Sequence, residues 1–342
     1  MMDRRSILAG MAALPLLDAV PLAAAGGKGS GFGTIRRLDP GLDRVIAPGA
    51  TVRLLASGFQ WTEGPVWVPH ENCLLFSDPP RNTVHRWSAG KGTEKGVEVF
   101  LRPSGLQTPV PASIREPGLN GLALDARDAL VAADSGSRAI VRIDLTSRRR
   151  EVLVDRYEAK RFNSPNDLCV AASGAIYFTD PTYGLADGDD SSLRELAFCG
   201  LYRLSPDGNV VALDRDHRRP NGVALSPDGR TLYLSLSDEV QPEVLAYTLD
   251  ENGMPTDRRR FLDLRADFAA GRPGLPDGIK VNASGHVFAT GPGGIHVCTP
   301  AGQVLGVIET GKAISNCALG RNGTALFLTS SDSVAVLEGI LA

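Results

Sequence analysis

Six short phrases in this chain open on a residue whose side chain ends in a carboxylate or carboxamide. They begin at Glu63 (Glu63-Gly64-Pro65-Val66-Trp67), Asn120 (Asn120-Gly121-Leu122), Asn166 (Asn166-Asp167-Leu168), Asn221 (Asn221-Gly222-Val223), Asp277 (Asp277-Gly278-Ile279) and Asn316 (Asn316-Cys317-Ala318). Two carboxylates and several amide oxygens suit a hard cation such as calcium or magnesium, provided that the fold gathers them. A carboxylate in such a group can also take a proton from water. Singly, Asn-Gly and Asp-Gly are ordinary turn dipeptides. Their recurrence in one phase across six copies points instead to one shared position in a repeated unit. Other chemistries find no comparable support. The five histidines (His70, His85, His217, His286, His296) are scattered, without paired ligand spacing. There is no G-x-S-x-G elbow and no phosphate-binding loop.

The elements that must position these residues recur with them. The lead positions are spaced by 57, 46, 55, 56 and 39 residues, a mean of about 50. That period suits propeller blades of four short strands. Each copy continues through a turn into a second apolar strand: Leu74-Leu75-Phe76, Leu130-Val131-Ala132, Ile176-Tyr177-Phe178, Leu232-Tyr233-Leu234, Val287-Phe288-Ala289 and Leu326-Phe327-Leu328. Ser226-Pro227-Asp228-Gly229 is one of the intervening hairpin turns. Third strands are predicted over Ala139–Ile143 and Gly200–Leu204. The expected fold is all-β, a six-bladed β-propeller with a central-channel metal site. The first strand of each blade lines the channel, so all six lead residues should meet at one mouth. The last copy ends at Ser333-Val334-Ala335-Val336-Leu337 without an outer strand. Thr51-Val52-Arg53-Leu54-Leu55-Ala56 is predicted to supply it and close the ring.

Composition narrows the partners. With 36 basic against 39 acidic residues, the formal charge is -3, which offers no broad attraction for nucleic acid or an anionic membrane. Five cysteines, none in a C-x-x-C, are expected to be free core residues. Arg148-Arg149-Arg150 reads as a solvated turn face. Residues 1–25 carry Arg4-Arg5 before an apolar run and Ala23-Ala24-Ala25 as a cleavage signal, resembling a twin-arginine export peptide. Residues 26–44 are expected to form a linker or N-terminal arm, and 45–342 the propeller. The mature protein is expected in the periplasm or outside the cell, and off the membrane once processed.

Several phrases together resemble the gluconolactonase / senescence-marker-protein (regucalcin) family. They are Glu63-Gly64-Pro65-Val66-Trp67, Asn163-Ser164-Pro165-Asn166-Asp167-Leu168, Phe178-Thr179-Asp180-Pro181-Thr182-Tyr183-Gly184, Arg219-Pro220-Asn221-Gly222 and Pro276-Asp277-Gly278. The resemblance implies a catalytic divalent cation, calcium first and magnesium, manganese or zinc as alternatives, and hydrolysis of a sugar lactone. It implies metal ligands at Glu63, Asn221 and Asp277, with Asn166 at or beside the metal. Asn120, Asn166 and Asp180 match the substrate-pocket region.

The mechanism expected from this resemblance has the cation polarising the ester carbonyl and Asp277 accepting a proton from the attacking water. Alternatives are a phosphotriester or aryl-ester hydrolase using the same site, or a non-catalytic calcium-dependent sugar-binding propeller. Two segments depart from the family pattern. Ala133-Asp134-Ser135-Gly136-Ser137-Arg138 lacks a histidine found in close bacterial relatives, and with it a substrate contact or proton carrier. Leu234-Ser235-Leu236-Ser237-Asp238 replaces a valine-alanine-aspartate pattern, so Ser237 is a candidate to take the aspartate's place.

Overall fold

The computed structural model describes residues 31–89 and 96–341. The predicted export segment, 1–25, lies outside them. Among the described residues the strands form six sheets of four or five strands and one two-stranded ribbon. Each sheet is an antiparallel blade, running outward from an inner strand. The inner strands are Glu63–Val68, Leu119–Leu124, Leu168–Val170, Pro220–Leu225, Ile279–Val281 and Asn316–Gly320, in blades 1 to 6. Contacts between successive inner strands, and between those of blades 6 and 1, close them into a ring.

The second strands are all but continuously buried, as in Cys73–Asp78, Leu130–Asp134 and Ile176–Asp180. Both faces of a blade therefore pack against neighbouring blades, and each junction makes its own core. Phe162, Phe178 and Tyr202 meet at the junction of blades 2 and 3. Trp67 of blade 1 stacks on Phe327 of blade 6 with ring centroids 5.0 Å apart. That stack seals the join at which the ring closes.

Val52–Ser57 pairs antiparallel with Ser333–Glu338, with Val52 opposite Leu337 and Ser57 opposite Ser333. The outer strand of blade 6 thus comes from the start of the propeller, as the sequence predicts. The arm expected over 26–44 is more than a linker. Thr34–Arg37 adds a fifth strand to blade 5 against Val304–Glu309. A short 3-10 turn at Pro40–Arg44 then buries Leu42 in the junction of blades 5 and 6. This segment covers an otherwise open sheet edge. Its four half-exposed residues carry too little apolar alternation to be read as a strand. All five cysteines are free. Of the triple arginine only Arg149 is an exposed turn residue. Arg150 pairs with the buried Asp134, and Arg148 lies over the Phe100 ring at 3.6 Å. Among the described residues no helix is long and apolar enough to cross a membrane.

Candidate active site

Each lead residue stands at the channel end of an inner strand, and the strands are locally irregular there. Pairing with the second strand slips between Glu63 and Val66, between Leu119 and Leu122, and between Pro220 and Val223. A bulge of this kind turns a side chain out of the ladder. The glycine after the lead residue has a packing role rather than a turn role. A Cβ on Gly222 would lie 2.1 Å from the backbone oxygen of Asp277, and one on Gly64 would lie 1.9 Å from that of Asn120. Only hydrogen fits where adjacent inner strands approach so closely. Hydroxyls lock the junctions of blades 1 and 2 and of blades 3 and 4. Ser77 donates to the Asn120 carbonyl at 2.7 Å, and Thr179 to the Asn221 carbonyl at 2.7 Å.

A cavity of about 670 Å³ opens at one mouth of the channel, and Glu63, Asn120, Asn166, Asn221 and Asp277 all line it. The sequence predicts six converging residues, and the structure brings five together. Asn316 drops below the cavity. Its Oδ1 accepts from Lys280 Nζ at 3.1 Å, and its Nδ2 approaches Asp167 Oδ2 at 3.5 Å. Asp167 and Lys280 face each other there at 3.9 Å, forming a polar plug under the site.

Asp180 also stands outside the cavity. Its side chain is fully buried, with the carboxylate accepting from the backbone N–H groups of Asn163 and Ser164, each at 2.8 Å. It therefore anchors the loop that carries Asn166 rather than touching substrate. Asp78 does the same for blade 1, accepting from Gln60 N at 3.0 Å and Trp61 N at 3.3 Å. The departing segment 133–138 lies behind the wall, where Ser135 donates to the Pro165 carbonyl at 2.8 Å. The missing histidine thus leaves no gap in the lining described here. Ser237 does take up a bridging place. It accepts from Asn221 Nδ2 at 2.8 Å and donates to the Pro276 carbonyl.

Glu63 is held by its neighbours, accepting from Gly64 N at 3.0 Å and Trp61 Nε1 at 3.4 Å. Burial, aided by the charge of Asp167, pushes its carboxyl up to about 8. Asp277 is raised well above the usual carboxylate range, first by desolvation and then by Glu63 and Asp167. Two buried carboxyls of raised proton affinity at the floor of a cavity call for a shared positive charge or a proton. Among the described residues no three His, Cys, Asp or Glu side chains form a metal cluster. The available donor set is two carboxylates with carboxamides, the chemistry of a hard cation rather than a soft one.

Sequence reasoning passed over Glu116, Arg219 and Tyr183, which also line the cavity. Arg219 is fixed by Asp189 at 3.0 Å, and Asp189 also accepts from Thr182 Oγ1 at 2.7 Å. The Tyr183 hydroxyl is buried without a hydrogen-bond partner among the described residues. Both residues fall in phrases that carry the family resemblance, which was a usable signal. Glu116, in the stretch before Asn120, carries none.

Comparisons with known proteins identify the family of the chain. A family model described as "SMP-30/Gluconolactonase/LRE-like region" matches residues 61–332. A gluconolactonase of Zymomonas mobilis is 42% identical over 97% of this chain and 96% of its own. A pentonolactonase of Haloferax volcanii is 26% identical over 69% of this chain and 68% of its own. Among solved structures, one described as a gluconolactonase from Xanthomonas campestris superposes with a TM-score of 0.76 at 32% identity, covering 94% of this chain and 98% of that one. By the matched residues and by the shape of the ring, this chain belongs to the SMP-30/gluconolactonase family.

Proposed function

We propose that the cavity is the active site of a divalent-cation-dependent sugar lactonase. The chain is a lactone-hydrolysing hydrolase by kinship, since its relatives are a gluconolactonase and a pentonolactonase. The observation that carries the site assignment is the meeting of Glu63, Asn166, Asn221 and Asp277 in one cavity. Calcium fits these oxygen donors best, and it would be held by those four side chains. When bound, it supplies Lewis-acid polarisation of the ester carbonyl and stabilises charge developing on that oxygen.

The chain's own residues do the rest. Asn120 and Asn166 bind hydroxyl groups of the substrate and orient its ring. Asp277 accepts the proton of the attacking water at a carboxylate oxygen. A carboxyl whose proton affinity is raised by burial and by a neighbouring carboxylate is suited to that role. The bond between the carbonyl carbon and the ring oxygen breaks, the ring oxygen takes up the proton held by Asp277, and the hydroxy acid leaves. Five carboxylates and two guanidiniums line the cavity, and Arg219 and Arg218 both face Asp189, at 3.0 and 3.6 Å. That balance favours a neutral lactone over a phosphorylated one. With the export-like segment over 1–25, we place this activity in the periplasm or outside the cell.

The test is acid release from D-glucono-δ-lactone, corrected for spontaneous hydrolysis, with calcium and after chelation. Release that chelation abolishes and calcium restores is the expected result. No release above background from calcium-loaded protein would remove this substrate and favour a phosphotriester, an aryl ester or a binding role.

A further inference from the structure

The cavity has two unlike walls, and the blade repeat explains why. Two residues before the lead position, four of the six blades place a residue on the cavity wall. In blades 1, 5 and 6 that residue is Trp61, Leu275 or Ile314, and all three line the cavity. In blades 2, 3 and 4 the equivalent residues are Gly118, Ser164 and Arg219. Blades 5, 6 and 1 are consecutive around the closed ring, so the large apolar residues form one continuous arc. The hydrogen-bonding residues Glu116, Asn120, Asn166, Tyr183 and Asn221 come from blades 2 to 4 and face it.

Two more apolar residues extend the arc toward solvent. Phe268 lies on the short helix Arg265–Ala269, just before blade 5, and lines the cavity. Val240 stands at the mouth where blade 4 adjoins blade 5, on the loop after Thr231–Leu236 beside Asp238 and Glu239, and 81% of its surface is exposed. One aromatic ring is enough to cover the C–H face of a bare sugar lactone. Three blades of apolar rim, leading to an exposed valine, offer more surface than such a ring can cover. A cavity of about 670 Å³ is of the size that takes a drug-sized ligand.

Building on the lactonase reading, we infer that the site accepts lactones with an apolar substituent on the ring carbon that bears the ring oxygen. The lactone ring sits over the lead residues with its polar edge toward blades 2 to 4. The substituent lies along Trp61, Leu275 and Phe268, with Ile314 packed behind them in the junction core, and emerges past Val240. Burying it removes apolar surface from water on both partners. The reaction is unchanged: water adds at the carbonyl, the ring C–O bond breaks, and the product is a hydroxy acid with an alkyl tail.

The experiment compares three probes on the calcium-loaded full chain: D-glucono-δ-lactone, δ-valerolactone and δ-nonalactone. The last two share a reacting ring and differ by a butyl group. The expected kcat/KM for δ-nonalactone exceeds that for δ-valerolactone by about tenfold or more. Phe268→Gln and Val240→Asn should each reduce that ratio, and Val240 is exposed enough that its replacement leaves folding intact. Hydrolysis of D-glucono-δ-lactone with a ratio near one would overturn the apolar subsite and leave the lactonase reading standing. A high ratio that neither variant moves would overturn it too. Hydrolysis of δ-nonalactone without D-glucono-δ-lactone would keep the subsite and remove the sugar. Hydrolysis of none of the three would overturn the lactonase reading and the subsite with it.

Discussion

The amide nitrogen of Asn221 donates to the hydroxyl of Ser237 at 2.8 Å, and that hydroxyl donates in turn to the carbonyl of Pro276, next to Asp277. One serine thus joins the two segments that carry the proposed cation donors Asn221 and Asp277. With its nitrogen committed, Asn221 keeps its amide oxygen available to a cation. In blades 1 and 2, aspartates end the second strand at Asp78 and Asp134, whereas Leu236 ends it in blade 4 and Ser237 reaches in one residue later. Ser237→Ala should weaken calcium binding by roughly tenfold or more, as losing an outer partner of a metal ligand usually does. Ser237→Thr should retain most of it. Calcium titration calorimetry beside a thermal melt decides the matter. Equal affinity in Ser237→Ala would remove Ser237 from the site.

Asp277→Asn keeps the shape of the site and removes its proton acceptor. Its kcat should fall by about a hundredfold or more, the usual scale for a general base. Glu63→Gln should instead show its main loss in calcium affinity, because Glu63 is fixed by Gly64 N and Trp61 Nε1 as a ligand. Rates measured at saturating calcium separate the two. Near-normal turnover in Asp277→Asn would sink the role assigned to it.

The cation-free protein should lose stability as pH rises. Burial first, then the nearby Asp167 charge, push Glu63 from about 4.5 up to about 8, and Asp277 is raised beside it. The folded state therefore holds these protons more tightly than the unfolded chain. That contribution is complete below about 4.5 and is lost as pH climbs to about 8. In chelator, Tm should fall across this window. If the proposed site binds calcium in the folded state, added calcium should restore it at the alkaline end. A Tm that is flat with pH and indifferent to calcium would contradict the charge balance described for the site.

Gly222→Ala tests the close approach of blades 4 and 5. Its Cβ would fall 2.1 Å from the Asp277 carbonyl oxygen, so the strands must part. A loss of about 1–3 kcal/mol in urea unfolding is expected, together with weaker calcium binding. Gly96→Ala, where nothing among the described residues lies within 4 Å, is the neutral control. Equal stability of the two variants would mean that the inner ring is looser than this contact implies.

Much of this protein was legible in its sequence. The blade repeat, the second strands, the lead residues and the borrowed strand Val52–Ser57 follow from alternation and recurrence, which are local properties of the chain. So does the contrast between Trp61, Leu275 and Ile314 and the small or polar residues of the other blades. Tertiary structure alone decided which lead residues face the cavity. Asn316 is drawn down by Lys280 and by Asp167, 149 residues away in sequence. Asp180 is spent on a loop 16 and 17 residues before it. The short strand Thr34–Arg37 exists because the edge of blade 5 pairs with it, and its own residues show no strand pattern. A buried polar group must take whatever partner the fold brings within hydrogen-bond reach. Ring closure sets that reach, and residue type and spacing along the chain do not record it.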